Sequence, residues 1–395
     1  MLTRIAMRIS LLSFLAVPGM TVGVVQPLHA QPYETNAKQA LLVDDASGTI
    51  LLSKNQNDTI FPAALAKLMT MEVVFHALKE GKVTLDTEYK VSENAWRKGG
   101  APSGGSTMFA ALNSVIRLED LIQGVIVQSA NDGCIIIAEG MAGSEDKFAD
   151  LMNARAKEIG LTHSQFRNST GLPDPEQVTS VTDLVKLAGH LRREYPEYYH
   201  YYSQESFVWN KIFQRNRNPL LRMVPGATGM GTGYTEQSGY AVLGAVDQGD
   251  RRLILGLAGL SSDKERAEEA KRTIEWAANA FEDVPLFKDG EVIGEASVYG
   301  GTKSYVPLKS SEPVDVLIPK GNRHLLKARV VYTGPLIAPV ASGQAVGMLH
   351  VWMDDMLVQQ TQLFATEDIE SAGLRKRATD AVIELATGWI RPLVN

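Results

Sequence analysis

Gln39–Lys54 reads QALLVDDASGTILLSK, two apolar runs on either side of the turn-forming DDASG, which predicts a β-hairpin. The following run, LAKLMTMEVVFHALKE, carries Leu68, Met71, Phe75 and Leu78 at helical spacing and further apolar residues on its other faces. That pattern predicts a central, buried helix. Ser144 precedes EDKFADLMNARAKEIG, where Phe148, Leu151, Met152 and Ile159 form a stripe and Gly160 supplies a stop, and SDKE at Ser262–Glu265 has capping-box spacing before a helix reaching about Phe281. Between these two helices, YAVLGAVDQGDRRLILGLAGL predicts a strand, a polar turn and a second strand.

The texture changes after EDVPLF. From Lys288 to Phe364 short alternating runs such as PVDVLIP and AVGMLHVWMDD are split by Gly and Pro with no helical stripe, which predicts a small all-β domain, sandwich or barrel-like. The end of the chain turns helical again: Leu374, Ala378, Ala381, Val382, Leu385 and Trp389 share one face behind Arg375, Lys376 and Arg377. Such a helix suits either a membrane surface, through residues 374–390, or a dock on the protein's own body. Asp380 and Glu384 weigh against the membrane.

A length of 395 residues is enough for two domains with cores of their own. At the start, Arg4 and Arg8 lead the apolar run ISLLSFLAVPGMTVGVV, and LHA at Leu28–Ala30 offers a cleavage point. This reads as a secretory leader, the alternatives being an uncleaved anchor or a buried helix; Pro18, Gly19 and Gly23 interrupt the run too often for a good membrane span. The expected organisation is a leader over 1–30, an α+β domain over 31–285, a small β domain over 286–365 and a C-terminal amphipathic helix over 366–395. The net charge of −6 becomes more acidic once the leader is removed, which argues against a nucleic-acid partner. One cysteine, Cys134, leaves no disulfide within the chain, and its place ahead of the apolar IIIA favours a buried hydrophobe over a reactive thiol. The seven histidines show no ligand spacing such as H-x-x-x-H, so no metal or other cofactor is expected.

Three stretches carry candidate chemistry: PAALAKLMT with Lys67, QSANDGC with Ser129 and Asn131, and GATGMGTGYTEQSGY with Thr232 and Gly233. On a helix, positions three apart share a face, so residue 64 and Lys67 meet in one pocket. In this order and with these flanks, the chain resembles the low-molecular-mass penicillin-binding proteins, the serine D-alanyl-D-alanine carboxypeptidases of peptidoglycan metabolism, whose motifs are S-x-x-K, S-x-N and K-T-G. The resemblance covers nearly all of the chain after the leader. It implies an α+β fold of the penicillin-binding-protein and β-lactamase type, an antiparallel sheet with helices, followed by the β domain and terminal helix. It also implies export across the inner membrane to the periplasm. By the same resemblance the nucleophilic serine would stand at 64, activated by Lys67; Ser129 would relay a proton; Asn131 would hold the lysine and the substrate amide; and the third motif would hold the substrate's terminal carboxylate.

The departures fall inside the motifs. Position 64 is Ala64, whose methyl group attacks nothing; the lysine position of the third motif is Gly231; and Thr228 stands where the family usually has an aspartate. Loss of a serine nucleophile costs about six orders of magnitude in turnover, on the order of 8 kcal/mol. Loss of a charge-assisted hydrogen bond to substrate adds roughly 1.5–3 kcal/mol. The expectation is therefore a catalytically incompetent carboxypeptidase scaffold that binds stem peptides or β-lactams weakly and non-covalently. Two rivals are a residual hydrolase using Ser129 and a non-catalytic envelope scaffold. Ser103 and Ser106 are expected to shape a glycine-rich loop near the cleft, and Lys67 to find its partners in Ser129 and Asn131.

Overall fold

The computed structural model describes residues 33–374 except 250 and 355, together with 376 and 378. The expected leader, and the expected terminal helix beyond its first residues, lie outside that range. The chain divides into two compact units, one of Pro32–Ala46 with Ile50–Asn279 and one of Ser47–Thr49 with the chain from Ala280 onward.

In the first unit the two arms of the predicted hairpin pair as β1 (Gln39–Asp44) and β2 (Ile50–Lys54), and the predicted strand pair appears as β4 (Gly239–Gln248) and β5 (Arg251–Leu260). With β3 (Ala227–Thr235) they form one sheet in the order β2-β1-β5-β4-β3, antiparallel throughout. Ala241–Val246 and Leu253–Ala258 are buried at successive positions, so both faces of the inner strands are covered. This explains why they read as continuous apolar runs rather than as an alternation. Gly256 admits one covering helix closely: a Cβ there would lie 2.6 Å from Val181 and 3.1 Å from Val185.

The longer helices are α1 (Lys67–Lys79, entered through a 3₁₀ turn at Ala63–Ala66), α2 (Leu118–Gln128), α3 (Asn131–Ala142), α4 (Glu145–Ile159), α5 (Val181–Glu194) and α6 (Asp263–Ala280). Every residue of α1 from Lys67 to Phe75 is buried, as its all-round apolarity predicts. Its one acid, Glu72, is fully buried and compensated: Arg155 on α4 donates at 2.7 Å, the Tyr195 hydroxyl at 2.9 Å, and His190 Nε2 stands 3.4 Å away. Burial pushes the Glu72 carboxyl up, but these partners outweigh it and hold it below the ordinary value. Ser144 caps α4 by accepting from the Lys147 N–H, and Gly160 ends that helix in the left-handed conformation. At the start of α6, Ser262 Oγ accepts from the Glu265 N–H, while Glu265 returns its bond to the N–H of Ser261.

The second unit is all β among its described strands. Six of them lie in the order Leu326–Tyr332, Ala345–Met353, Met356–Ala365, Tyr305–Lys309, Gly294–Tyr299 and Leu336–Ile337, and Phe281–Phe287 pairs separately with Val314–Pro319. The stretch FEDVPLF is thus a strand of this unit. Among the described residues no helix is long and apolar enough to cross a membrane.

Ser144→Ala removes an N-cap at an exposed helix start and should cost about 1 kcal/mol, a fall of about 2–4 °C in Tm. Thermal unfolding followed by circular dichroism checks it; an unchanged Tm would show that the cap contributes nothing.

Candidate active site

The buried side chain of Lys67 organises the site. It is 6 % exposed, and its Nζ donates to Asn131 Oδ1 at 2.8 Å and to the Thr170 carbonyl at 2.5 Å. Burial, the largest influence, and the nearby Arg217 guanidinium push it below the ordinary lysine value of 10.5, against the opposing pull of Cys134 and Asp132. The two acceptors take two of the donors of an ammonium and would take both donors of a neutral amine.

Asn131 reaches Lys67 because its own segment is held tightly. Its N–H donates to the Ser106 carbonyl at 2.8 Å, and the neighbouring Asp132, fully buried, accepts from the N–H groups of Met108 and Ala110 and from the Thr107 hydroxyl. Ser129 ends α2 in the left-handed region, with φ 59°. A serine there is strained, and such strain clusters where a side chain must be presented. Ser106 lines the cleft, and Ser103 Oγ donates to the Gly100 carbonyl and accepts from the Gly105 N–H.

Thr170 lies in the loop Asn168–Pro173. The Asn168 side chain accepts from the Thr170 and Gly171 N–H groups and folds the loop back on itself. Thr70 Oγ1 on α1 donates to the Ser169 carbonyl at 2.7 Å. Gly171 has φ 81°, and a Cβ added to it would fall 1.8 Å from the Ala63 carbonyl oxygen. On the other side, a Cβ at Gly233 would come within 2.9 Å of the Pro62 carbonyl oxygen. Two glycines therefore let the loop and β3 close on the turn that carries Ala63 and Ala64. Ala63 itself is held at φ 49°, the left-handed region, directly before residue 64.

These elements enclose a cleft of about 700 Å³ that brings together Ala64, Lys67, Ser129, Asn131, Thr232 and Gly233. Arg217 and Arg266 also line it, with Asp263 paired to Arg266 and Glu236 a second acid in the same wall. A void of about 30 Å³ adjoins it beside Gly231, lined also by Tyr202 and Asn218, whose hydroxyl and Nδ2 are buried without a partner among the described residues. A Cβ at 231 would meet only Leu65, at 3.5 Å. Thr228 does not reach the cleft. Its hydroxyl lies 3.1 Å from that of Tyr199, in a separate groove with Asp45, Arg192, Arg193, Asp247 and Arg252.

The expectation that Ser129 and Asn131 together satisfy Lys67 is corrected in one half: Ser129 makes no side-chain hydrogen bond among the described residues, and the Thr170 carbonyl takes that place. A backbone acceptor leaves no residue type to read, although the turn formers of NSTGLP mark the loop. Arg217 and Arg266 were also missed, since neither stands in a motif. Cys134 is fully buried, its thiol pushed up to about 12 by burial first. No group of three or more His, Cys, Asp or Glu suited to a metal occurs among the described residues.

Residues 26–260 match the family model described as D-alanyl-D-alanine carboxypeptidase, and residues 281–371 match that described as penicillin-binding protein 5, C-terminal domain. The chain belongs to the D-alanyl-D-alanine carboxypeptidase family. Within it, the D-alanyl-D-alanine carboxypeptidase DacC of Escherichia coli is 36 % identical over 357 residues, spanning 90 % of this chain and 89 % of its own. The crystal structure of penicillin-binding protein 5 from Haemophilus influenzae superposes with a TM-score of 0.78 at 34 % identity, covering 86 % of this chain and 99 % of its own. Penicillin-binding protein 6B from Escherichia coli gives 0.68 at 30 % identity, with 84 % and 96 % covered. The α+β domain of the penicillin-binding-protein and β-lactamase type, followed by an all-β domain, is the fold expected from the sequence.

Two measurements check this geometry. Lys67, labelled at Cε and followed by NMR, should titrate below 10.5; between its folded value and 10.5 the unfolded chain binds more protons, so stability should rise with pH across that window. Gly171→Ala forces the loop off Ala63 and should cost about 2 kcal/mol or more, because both the positive φ and the contact are lost. An unchanged Tm in that variant would contradict the close approach.

Proposed function

We propose that this chain is a catalytically incompetent D-alanyl-D-alanine carboxypeptidase whose cleft holds stem peptides or β-lactams weakly and without a covalent bond. One observation carries the reading: the residue that shares the cleft with Lys67, one helical turn before it, is Ala64. The amine is buried and depressed as a general base would be, and no hydroxyl stands at that position for it to deprotonate. Rescue by Ser129 is disfavoured, because its side chain makes no hydrogen bond to Lys67, and a small misplacement of a nucleophile already costs about a hundredfold.

Binding is the activity that remains to such a site. Arg217 offers the cleft a cation for a carboxylate although position 231 carries no charge, while Arg266 is already paired with Asp263. Thr232, Ser129 and Asn131 supply neutral polar groups around it. The ligand class follows from family membership, and so does a place in the bacterial envelope after export, with the terminal helix as a candidate contact with the membrane surface.

Position 231 has room for a side chain, since a Cβ there would meet only Leu65, at 3.5 Å. Intact-mass measurement after incubation with a penicillin should show no adduct on this chain. Ala64→Ser with Gly231→Lys should restore a stoichiometric adduct, and Thr228→Asp should add little because residue 228 faces the other groove. An adduct on the unaltered chain would overturn the reading.

A further inference from the structure

The groove that Thr228 faces holds about 480 Å³ and shares no wall residue with the cleft. The last turn of α5 brings Arg192 and Arg193 to it, the start of β5 brings Arg252, and the chain at the ends of β1 and β4 brings Asp45 and Asp247. Three arginines thus face two aspartates, which leaves one positive charge without a counterpart.

Both acids are already engaged, Asp45 with Arg193 and Asp247 with Arg192. The backbone of Arg252 is pinned from both sides: its N–H donates to the Asp44 carboxylate at 3.3 Å, and its carbonyl accepts from the Asp45 N–H. Its guanidinium makes no ion pair or hydrogen bond among the described residues. Arg192 has a second open donor. Its side chain is 12 % exposed, lies 5.7 Å from the centre of the Tyr199 ring and bonds Asp247 through Nη2, yet Nη1 is buried without a partner among the described residues. A buried donor left unmade is costly.

Nothing else in the groove supplies the missing acceptor as a charge. The Thr228 hydroxyl lies 3.1 Å from that of Tyr199 and 3.4 Å from the Ala245 carbonyl, and burial, the largest influence, pushes the Tyr199 phenol up to about 12, so both stay neutral. Thr228 stands where the family usually has a carboxylate.

We propose that this groove is a second ligand site, taking a carboxylate monoanion as the acceptor that Arg252 and Arg192 lack. The two oxygens of a carboxylate match the fork of a guanidinium. One negative charge balances the groove, whereas a dianion would meet Asp45 and Asp247 with charge to spare. The site is independent of what the cleft binds.

Acetate is the probe, titrated into the full chain at constant ionic strength with chloride as the balancing anion. Saturation transfer to its methyl group should reveal saturable binding, and Tm should rise by about 2–4 °C at tenfold excess over Kd. Arg252 is exposed, so Arg252→Gln spares the fold; it should weaken acetate about tenfold. Thr228→Asp installs a carboxylate in the groove, and it should abolish the acetate dependence while raising Tm in chloride alone. Arg217→Gln, in the cleft, should leave the affinity for acetate unchanged. A Tm rise equal in chloride, or acetate affinity that survives both Arg252→Gln and Thr228→Asp, would overturn the site. Loss of affinity in Arg217→Gln alone would place acetate in the cleft and overturn it as well.

Discussion

An amine on a side chain with 6 % of its surface exposed must find its acceptors inside the protein. Lys67 finds one on α3 and one in the loop Asn168–Pro173, and in doing so it pins three elements to a single point. Thr70, one turn further along α1, bonds the same loop, and Glu72 ties the helix to α4 and to Tyr195. One face of a single helix thereby sets the position of the cleft's floor, and a deeper anchor stops that floor from shifting. The other walls are placed by reference to it.

Those walls come closer than side chains would allow. Gly171 and Gly233 sit on opposite sides of the Pro62–Ala64 turn, each within van der Waals range of a backbone carbonyl. Ala63 is held in the left-handed region between them, and Ser129 is held there at the end of α2. Strain of this kind, on the order of 1–3 kcal/mol per residue, persists only where the surroundings over-determine it. Here the surroundings are two close backbone contacts and a buried polar network, and the residues they constrain adjoin or form the reactive positions.

The fold was legible to the extent that it is written in period and punctuation. The hairpin at Gln39–Lys54, the strand pair at Tyr240–Leu260 and the capped helices after Ser144 and Ser262 follow from apolar spacing and terminal residues that act locally. α3 carried no such reading, because its apolar run Cys134–Ala138 is buried on all sides and its period is hidden, whereas α5 carries a stripe, Leu184, Leu187, Ala188 and Leu191, that was missed. In the cleft, side chains in motifs were legible and backbone acceptors were not. Thr170 contributes a carbonyl, which any residue has, and Arg217 and Arg266 reach the cleft from segments whose proximity only the tertiary structure reveals. Thr228 shows the converse error: a position inside a motif segment faces a different groove, because it sits in a bulge where the register of β3 against β4 shifts between Ala227 and Gly229.

The proposed loss of function also has a physical direction. A lysine at 231 would add a cation to a wall that already carries Arg217, and like charges in a cleft of reduced dielectric repel. A serine at 64 would place a hydroxyl beside a strained turn for the sake of chemistry rather than packing. Ala64 and Gly231 remove both demands while leaving intact the contacts that build the cleft: the acceptors of Lys67, the closure at Gly171 and Gly233, and the anchor at Glu72. Catalytic groups are commonly held at some expense to stability, so a scaffold stripped of them is free to keep its shape. A shape kept without those groups is what the proposed binding role requires.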